Sequence, residues 1–393
     1  MTATNLFKMN LGDITIPKDN NHKSVKFIHA SDIHLGNAQY QNEYRSDDFI
    51  LSFREILNYA IHHSVDFVLL GGDVFTSLEM LPGTLTKIIK ILQDFKKCSE
   101  GNIPIIAIEG NHDIRKFSRG LKLLKRGQSW LKLIACLGLI VLLDADLEEA
   151  PEGIFPSYDF QINKGGKIQI KNVVIYGNRY IGQTPEDNLQ KIRTAIKRED
   201  NLFIILLQHF GIEGQMINIP GVRLEKAEIL KEKVDYLALG HFHKQFIINN
   251  WIFNPGSSEA ACSIDSTYRR GVFLVEIFGK EKFTKKVSII RLNNRHHRWE
   301  IINLPKQIRR KEELYSFIIQ RLKSYFKYQN LNIKPSDCNT PILYLVLKGK
   351  CPFRSCKINE KELSNRIAKN LPILYVKIYQ KFTNSLETLD KYM

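Results

Sequence analysis

Three nearly uninterrupted apolar runs, VKFIHASD (25–32), VDFVLLGGD (65–73) and IPIIAIEGN (103–111), open the chain. Two longer stretches separate them, DDFILSFREILNYAIHH (47–63) and LTKIIKILQDF (85–95), both with apolar residues at helical spacing. Runs this apolar read as strands covered on both faces, and a helix between successive strands implies parallel pairing. The βαβαβ rhythm therefore predicts a buried, largely parallel sheet in an α/β domain.

The rhythm changes further on. LIACLGLIVLL (133–143) is too short to span a bilayer and reads as a helix end running into a buried strand. KIQIKNVVIYGN (167–178), NLFIILLQH (201–209), VDYLALGH (234–241), QFIINNWIFNPGS (245–257) and GVFLVEIF (271–278) follow with shorter connections, which suits hairpins or a second sheet. Two packed mixed sheets with helices outside fit both halves. Near residue 290 a basic stretch begins, RLNNRHHRW (291–299) then KQIRRKEE (306–313). Beyond it come a helix, the strand ILYLVLKG (342–349), the helix EKELSNRIAKN (360–370) and the strand ILYVKIY (373–379). The expected organisation is a polar tail at 1–24, a main domain at 25–298 and a smaller α+β domain at 299–393. The tail lacks the apolar core of a secretion signal.

What sits at the strand ends carries the chemistry. Asp32 and His34 follow the first strand in SDIHLG, Asp73 the second in GGDVF, and Asn111 and His112 the third in EGNHD. His209 ends IILLQH, and His241 and His243 follow YLALG. In open α/β sheets the ligand crevice lies outside the carboxyl ends of the strands, so five separate segments would converge on one edge. Carboxylate oxygens, imidazole nitrogens and one amide oxygen suit Mn²⁺, Fe²⁺ or Zn²⁺. No cysteine takes part, which excludes a structural thiolate zinc site. The number of ligands calls for two ions, and Asp73, alone on its strand end, is the natural bridge between them. Two-metal sites clamp the attacking and leaving oxygens of an in-line displacement. Gly240 is expected to relax the backbone that aims His241 and His243. Each motif alone has a bland reading, as a cap, a turn or a surface histidine. All five in this order are hard to assemble by chance. His22 and His29 belong to no pattern and read as structural.

Asp-x-His, Gly-Asp, Gly-Asn-His-Asp, His and Gly-His-x-His in this order resemble the calcineurin-like metallophosphoesterase superfamily, over about residues 25–280. Its fold, a four-layer α/β/β/α sandwich, is what the resemblance implies here, with a smaller C-terminal α+β capping domain. SDIHLG, LPGTL, AIEGNHD, LALGHFHK and NPGSSE are similar, more closely, to the nuclease subunit of the double-strand-break repair complex, whose family includes archaeal and eukaryotic repair nucleases and bacterial SbcD. TPILYLVLKG and LPILYVKI are similar to its DNA-capping domain. The resemblance implies that Asp32, His34 and His243 hold one Mn²⁺, that Asn111, His209 and His241 hold a second, and that Asp73 bridges them. His112 would be the catalytic histidine that steadies the transition state or protonates the leaving 3′ oxygen, a task to which an imidazole is suited. Asp113 would either orient His112 or cap the turn. The implied reaction is hydrolysis of DNA phosphodiester bonds, as a 3′-to-5′ exonuclease and single-strand endonuclease. A homodimer and a coiled-coil ABC-type ATPase partner are also implied, although FTNSLETLDKYM offers at most one short helix for docking.

Charge supports a polyanionic partner independently: the 393 residues carry a formal net charge of +16. Lysines and arginines near 291–311 and 321–327 are candidates for phosphate contacts, with a solvated surface as the alternative. The six cysteines are scattered, and the pair in CPFRSC (351–356) is an incomplete zinc site, so reduced thiols in the cytoplasm, or the nucleus of a eukaryote, are expected. Two other functions stay open. One is a phosphoesterase for nucleotides or other small phosphoesters, since substrate choice lies in loops rather than ligands. The other is a weakly catalytic scaffold that bridges DNA ends.

Overall fold

The computed structural model describes residues 24–114, 129–182, 184–217, 219–305, 307–308, 310–326, 337, 339–350 and 358–383. The N-terminal tail to residue 23, the CPFRSC pair and the final FTNSLETLDKYM beyond Thr383 lie outside them.

The chain divides into two compact units. The first comprises the chain to Gln39 and Arg45–Leu292, the second Tyr40–Tyr44 and Asn293–Met393. In the first unit, β1 (Val25–Ala30), α1 (Glu43–His62), β2 (Phe67–Leu70), α2 (Pro82–Cys98), β3 (Ile105–Ala107), α3 (Trp130–Cys136) and β4 (Val141–Leu142) follow the expected alternation, α1 crossing the division near its start. Then come β5 (Lys167–Ile170), β6 (Val173–Gly177), α4 (Glu186–Ala195), β7 (Phe203–His209), α5 (Leu224–Glu228), β8 (Tyr236–Gly240), β9 (Phe246–Ile248), β10 (Ile252–Asn254), β11 (Val272–Phe278) and β12 (Thr284–Ile290).

Two six-stranded mixed sheets result, in the orders β12-β11-β1-β2-β3-β4 and β5-β6-β7-β8-β10-β9. Alternation along each strand, with period two, builds four layers. Phe27, Phe67, Leu69 and Ile106 of the first sheet meet Ile175, Ile205, Tyr236 and Phe253 of the second in a shared buried layer. Their neighbours Ile28, Val68 and Ile105 turn outward and pack with Phe53, Leu57, Leu92 and Ile134 of the first three helices. Val174, Ile204 and Leu237 do the same against Leu189, Ile192 and Ala227 of α4 and α5. The outcome is the α/β/β/α sandwich. His29 is buried inside it, its Nδ1 3.0 Å from the Tyr236 hydroxyl and its Nε2 3.1 Å from the Leu239 carbonyl. No helix of the described residues is long and apolar enough to cross a membrane.

The second unit is a three-stranded parallel sheet, β13 (His297–Asn303), β14 (Ile342–Lys350) and β15 (Tyr375–Thr383), with α6 (Lys311–Tyr325) and α7 (Glu360–Asn370) in the crossovers. Leu314, Ile318, Leu345, Leu363 and Ile378 form its core. Tyr40 belongs with this unit because its ring stacks on Tyr375, with centroids 4.2 Å apart. The boundary expected at 298/299 falls inside β13. The start of β13 carries little strand signal in the sequence because Arg295 and His296 just before it, and His297 and Arg298 within it, interrupt the apolar pattern. Arg295 makes no candidate phosphate contact: it is buried and donates to the carbonyls of Asp337 and Thr340, each at 2.7 Å.

Candidate metal centre

β1, β2, β3, β7 and β8 run parallel within their sheets, so their carboxyl ends deliver side chains to one edge of the sandwich. Backbone bonds lock the delivering turns together. Asp32 N–H donates to the Gly72 carbonyl at 3.1 Å and His34 N–H to the Asp73 carbonyl at 3.0 Å. Four of the delivered residues have left-handed backbones: Asp32 (φ 50°), His34 (φ 52°), Asp73 (φ 49°) and His241 (φ 87°). Non-glycine residues rarely adopt this region, and strain of this kind collects at functional sites. Gly240 does not supply the conformational freedom expected of it, because the left-handed turn falls on His241 itself. Gly240 is needed for closeness instead, since a Cβ there would strike the Ser31 hydroxyl and the Gly71 carbonyl.

The side chains gather in two groups, Asp32, His34 and His243, and Asp73, His209 and His241. Within each, one ligand atom per residue lies within 4.8 Å of the others. Asn111 joins the second group, its Oδ1 3.1 Å from His209 Nε2 and 3.0 Å from His241 Nδ1. All seven residues singled out in the sequence as metal ligands thus converge, together with His112. The His112 ring lies 5.0 Å from that of His34, and its backbone N–H donates to Asp73 Oδ1 at 2.7 Å.

These groups fit cations. His34 Nε2 and His243 Nε2 face each other at 3.0 Å, so the two nitrogens are close enough to be shared by one cation. Asp32 Oδ1 is buried without a hydrogen-bond partner. Burial alone would depress His209, but the Asp73 carboxylate 3.3 Å away outweighs it and holds the imidazole up to about 9. Burial is likewise overcome at His243, where the hydrogen bond to Asp265 and the charge of Asp32 raise it to about 9. Burial and the charge of His243 push His34 down to about 3, and burial and His209 push His241 to about 4. Each group therefore calls for positive charge at one point while keeping a neutral imidazole beside it, the form that binds metal.

Partners behind the ligands fix their orientation. His209 Nδ1 meets the Gly71 carbonyl at 2.7 Å, which leaves Nε2 facing the site. His243 Nδ1 meets Asp265 Oδ2 at 2.8 Å with the same effect. The Ser31 hydroxyl and the His241 N–H both donate to Asp32 Oδ2, at 2.6 and 3.0 Å. Asp265 had no signal in the sequence, because an aspartate in SIDST has no ligand-like spacing from any histidine. Tyr180 was missed for the same reason, and its ring lies 6.0 Å from those of both His209 and His241. Asp113 takes the capping role. Its carboxylate accepts from the N–H groups of Val74, Phe75 and Gly110, tying the Asp73 turn to the Asn111 turn. His112 is held through the Thr76 carbonyl instead, 3.0 Å from its Nδ1.

Comparison with known proteins agrees with this geometry. Residues 25–245 match the family described as calcineurin-like phosphoesterase. The chain is 24% identical to the DNA double-strand break repair protein Mre11 of Sulfurisphaera tokodaii over 366 residues, covering 93% of this chain and 83% of that one. To the Mre11 protein of Methanococcus maripaludis it is 38% identical over 271 residues, 65% of this chain and 64% of that one. With the Archaeoglobus fulgidus protein of the same name, the figures are 29% over 238 residues, 60% and 50%.

Proposed function

The chain belongs to the calcineurin-like phosphoesterase family, and we propose that within it the protein is a DNA repair nuclease that hydrolyses phosphodiester bonds with two Mn²⁺ ions. The observation that carries this reading is the convergence of two complete ligand groups from five strand ends. Asp32, His34 and His243 would hold one cation, Asn111, His209 and His241 the other, and Asp73 would be shared between them. When bound, two such cations lower the pKa of water and clamp the attacking and leaving oxygens of the phosphodiester. The chain's own residues do the rest. His209 and His243 are presented by the Gly71 carbonyl and Asp265, so the cation positions are set before substrate arrives. His112 stands beside the first group with its Nδ1–H given to the Thr76 carbonyl, leaving Nε2 to face the leaving 3′ oxygen and, in the protonated ring, to give it a proton. DNA as substrate is supported by the Mre11 relatives, one of which aligns with 93% of the chain, and by the net charge of +16. In the same reading the protein acts as a 3′-to-5′ exonuclease and single-strand endonuclease. It does so as a homodimer, beside a coiled-coil ABC-type ATPase subunit.

The test is a gel assay of 3′-labelled and 5′-labelled linear DNA with Mn²⁺, with EDTA and a His112→Ala variant as controls. Loss from the 3′ ends that needs Mn²⁺ and His112 is expected. Intact DNA alongside efficient turnover of free nucleotides would move the function to a small-substrate phosphoesterase.

A further inference from the structure

A second feature of the first unit adjoins the metal centre. One wall of an open groove of about 450 Å³ begins at Lys244, directly after His243. The lining also includes Tyr268 and Arg269, just past Asp265, the residue that holds His243. Two of the segments that line the groove thus directly follow the residues of one metal-site pair, His243 and Asp265. Its volume is in the range of ligand clefts.

Its chemistry is divided in a particular way. Lys244, Arg269 and Arg291 line it, and among the described residues no carboxylate does. Phe246 and Phe273 are buried beneath it, and Tyr268 is half-buried in its wall. Lys244 Nζ reaches the Gln215 carbonyl and Arg291 Nη1 the Arg270 carbonyl, at 3.1 and 3.3 Å, so neither cation is neutralised by an acid through those contacts. Three cations and a half-buried tyrosine in one groove match a ligand that is both polyanionic and flat-ringed. Nucleotides of a single strand have that character, with the base free to stack and the phosphate free to pair. A duplex presents phosphates outward and keeps its base faces stacked inside, so it would leave the tyrosine unmatched.

We propose that this groove is a subsite for one unpaired strand beside the metal centre, taking phosphate on Lys244, Arg269 and Arg291 and a base against the half-buried Tyr268 ring. The proposal rests on the nuclease reading and adds where the strand runs and that it must be single there. It is tested by fluorescence anisotropy of a labelled oligothymidylate with the full chain in EDTA, so that binding is read without cleavage. Neutralising Arg269→Gln and Arg291→Gln together should flatten the slope of log K against log salt by about 1.4, at about 0.7 per single-strand phosphate contact. Tyr268→Ala should weaken binding about tenfold, with Tyr268→Phe retaining it. With Mn²⁺, the same variants should lower oligonucleotide turnover about tenfold relative to that of bis-p-nitrophenyl phosphate, which is too small to reach the groove.

An unchanged salt slope, or a Tyr268→Ala variant that binds like the parent, would overturn the proposal. So would equal losses on blunt duplex and single strand. A parent protein that cleaves no DNA, but whose oligonucleotide binding still responds to these variants, would sink the nuclease reading and leave the groove standing. Cleavage that proceeds in the variants as in the parent would do the reverse.

Discussion

Removing the Asp265 carboxylate should separate the two cation sites. Asp265 is buried, and its Oδ2 receives three donors: the His243 imidazole at 2.8 Å and the N–H groups of Ala261 and Cys262, each at 3.0 Å. It therefore holds the His243 ring with Nε2 toward His34 and Asp32, and it makes that nitrogen a better donor to a cation. Losing such a partner typically costs 10–100-fold in metal affinity, about 1.4–2.7 kcal/mol. Asp265→Asn keeps the volume and one carbonyl oxygen to anchor the loop at 261–262 and the His243 ring, and removes only the negative charge that makes His243 a stronger ligand. His209 and His241 do not touch Asp265, and the Gly71 carbonyl orients His209 independently. Isothermal titration of Mn²⁺ into the metal-free protein should thus show two binding events in the parent. In the variant, one event should weaken 10–100-fold while the other keeps its affinity. Two events weakened equally would mean that the substitution loosens the whole edge of the sandwich. Two events left intact would mean that His243 needs no charged partner, and either result would refute the reasoning.

His112→Ala should lower turnover about 10²–10⁴-fold while leaving Mn²⁺ binding as it was, because the bond from its backbone N–H to Asp73 survives the substitution; rapid-quench kinetics beside calorimetry would check this. Burial, only partly offset by the Leu239 carbonyl, holds His29 down to about 3 from its ordinary 6.5, so between those values the unfolded chain binds a proton that the folded chain does not. Its contribution to stability is complete above the ordinary value and is lost as the pH falls toward the folded one, at up to ~1.4 kcal/mol per pH unit. Urea melts across that window should be flatter for His29→Gln than for the parent. Arg45→Met removes a cation from between the buried carboxylates of Asp48 and Glu259 and should cost about 3–5 kcal/mol, read as a lower urea midpoint.

The sequence by itself determined the elements that carry a local signal. Near-continuous apolar strands, helices at their own period, and polar residues placed just past strand ends are all features of neighbouring positions. Both sheets of the sandwich and seven converging ligand candidates were legible for that reason. Elements whose local signal is weak were not. β12 is an edge strand, TKKVSII, in which paired lysines precede paired isoleucines, and β13 opens on a histidine and an arginine before its apolar residues. α4 and α5 are short and polar.

Only the tertiary structure decided what depends on distant segments meeting. β11 pairs antiparallel with β1, which brings the chain back from the second sheet and carries the loop before it past the metal centre. Asp265 meets His243 through that return, and Arg269 and Tyr268 come to face Lys244. Asp113 was next to His112 in the chain and turned away from it, because three N–H groups of converging turns were better partners for a buried carboxylate. Residue types at strand ends are written locally. Which partner stands behind each ligand is set by strand order and register, and these emerge only when the two sheets pack.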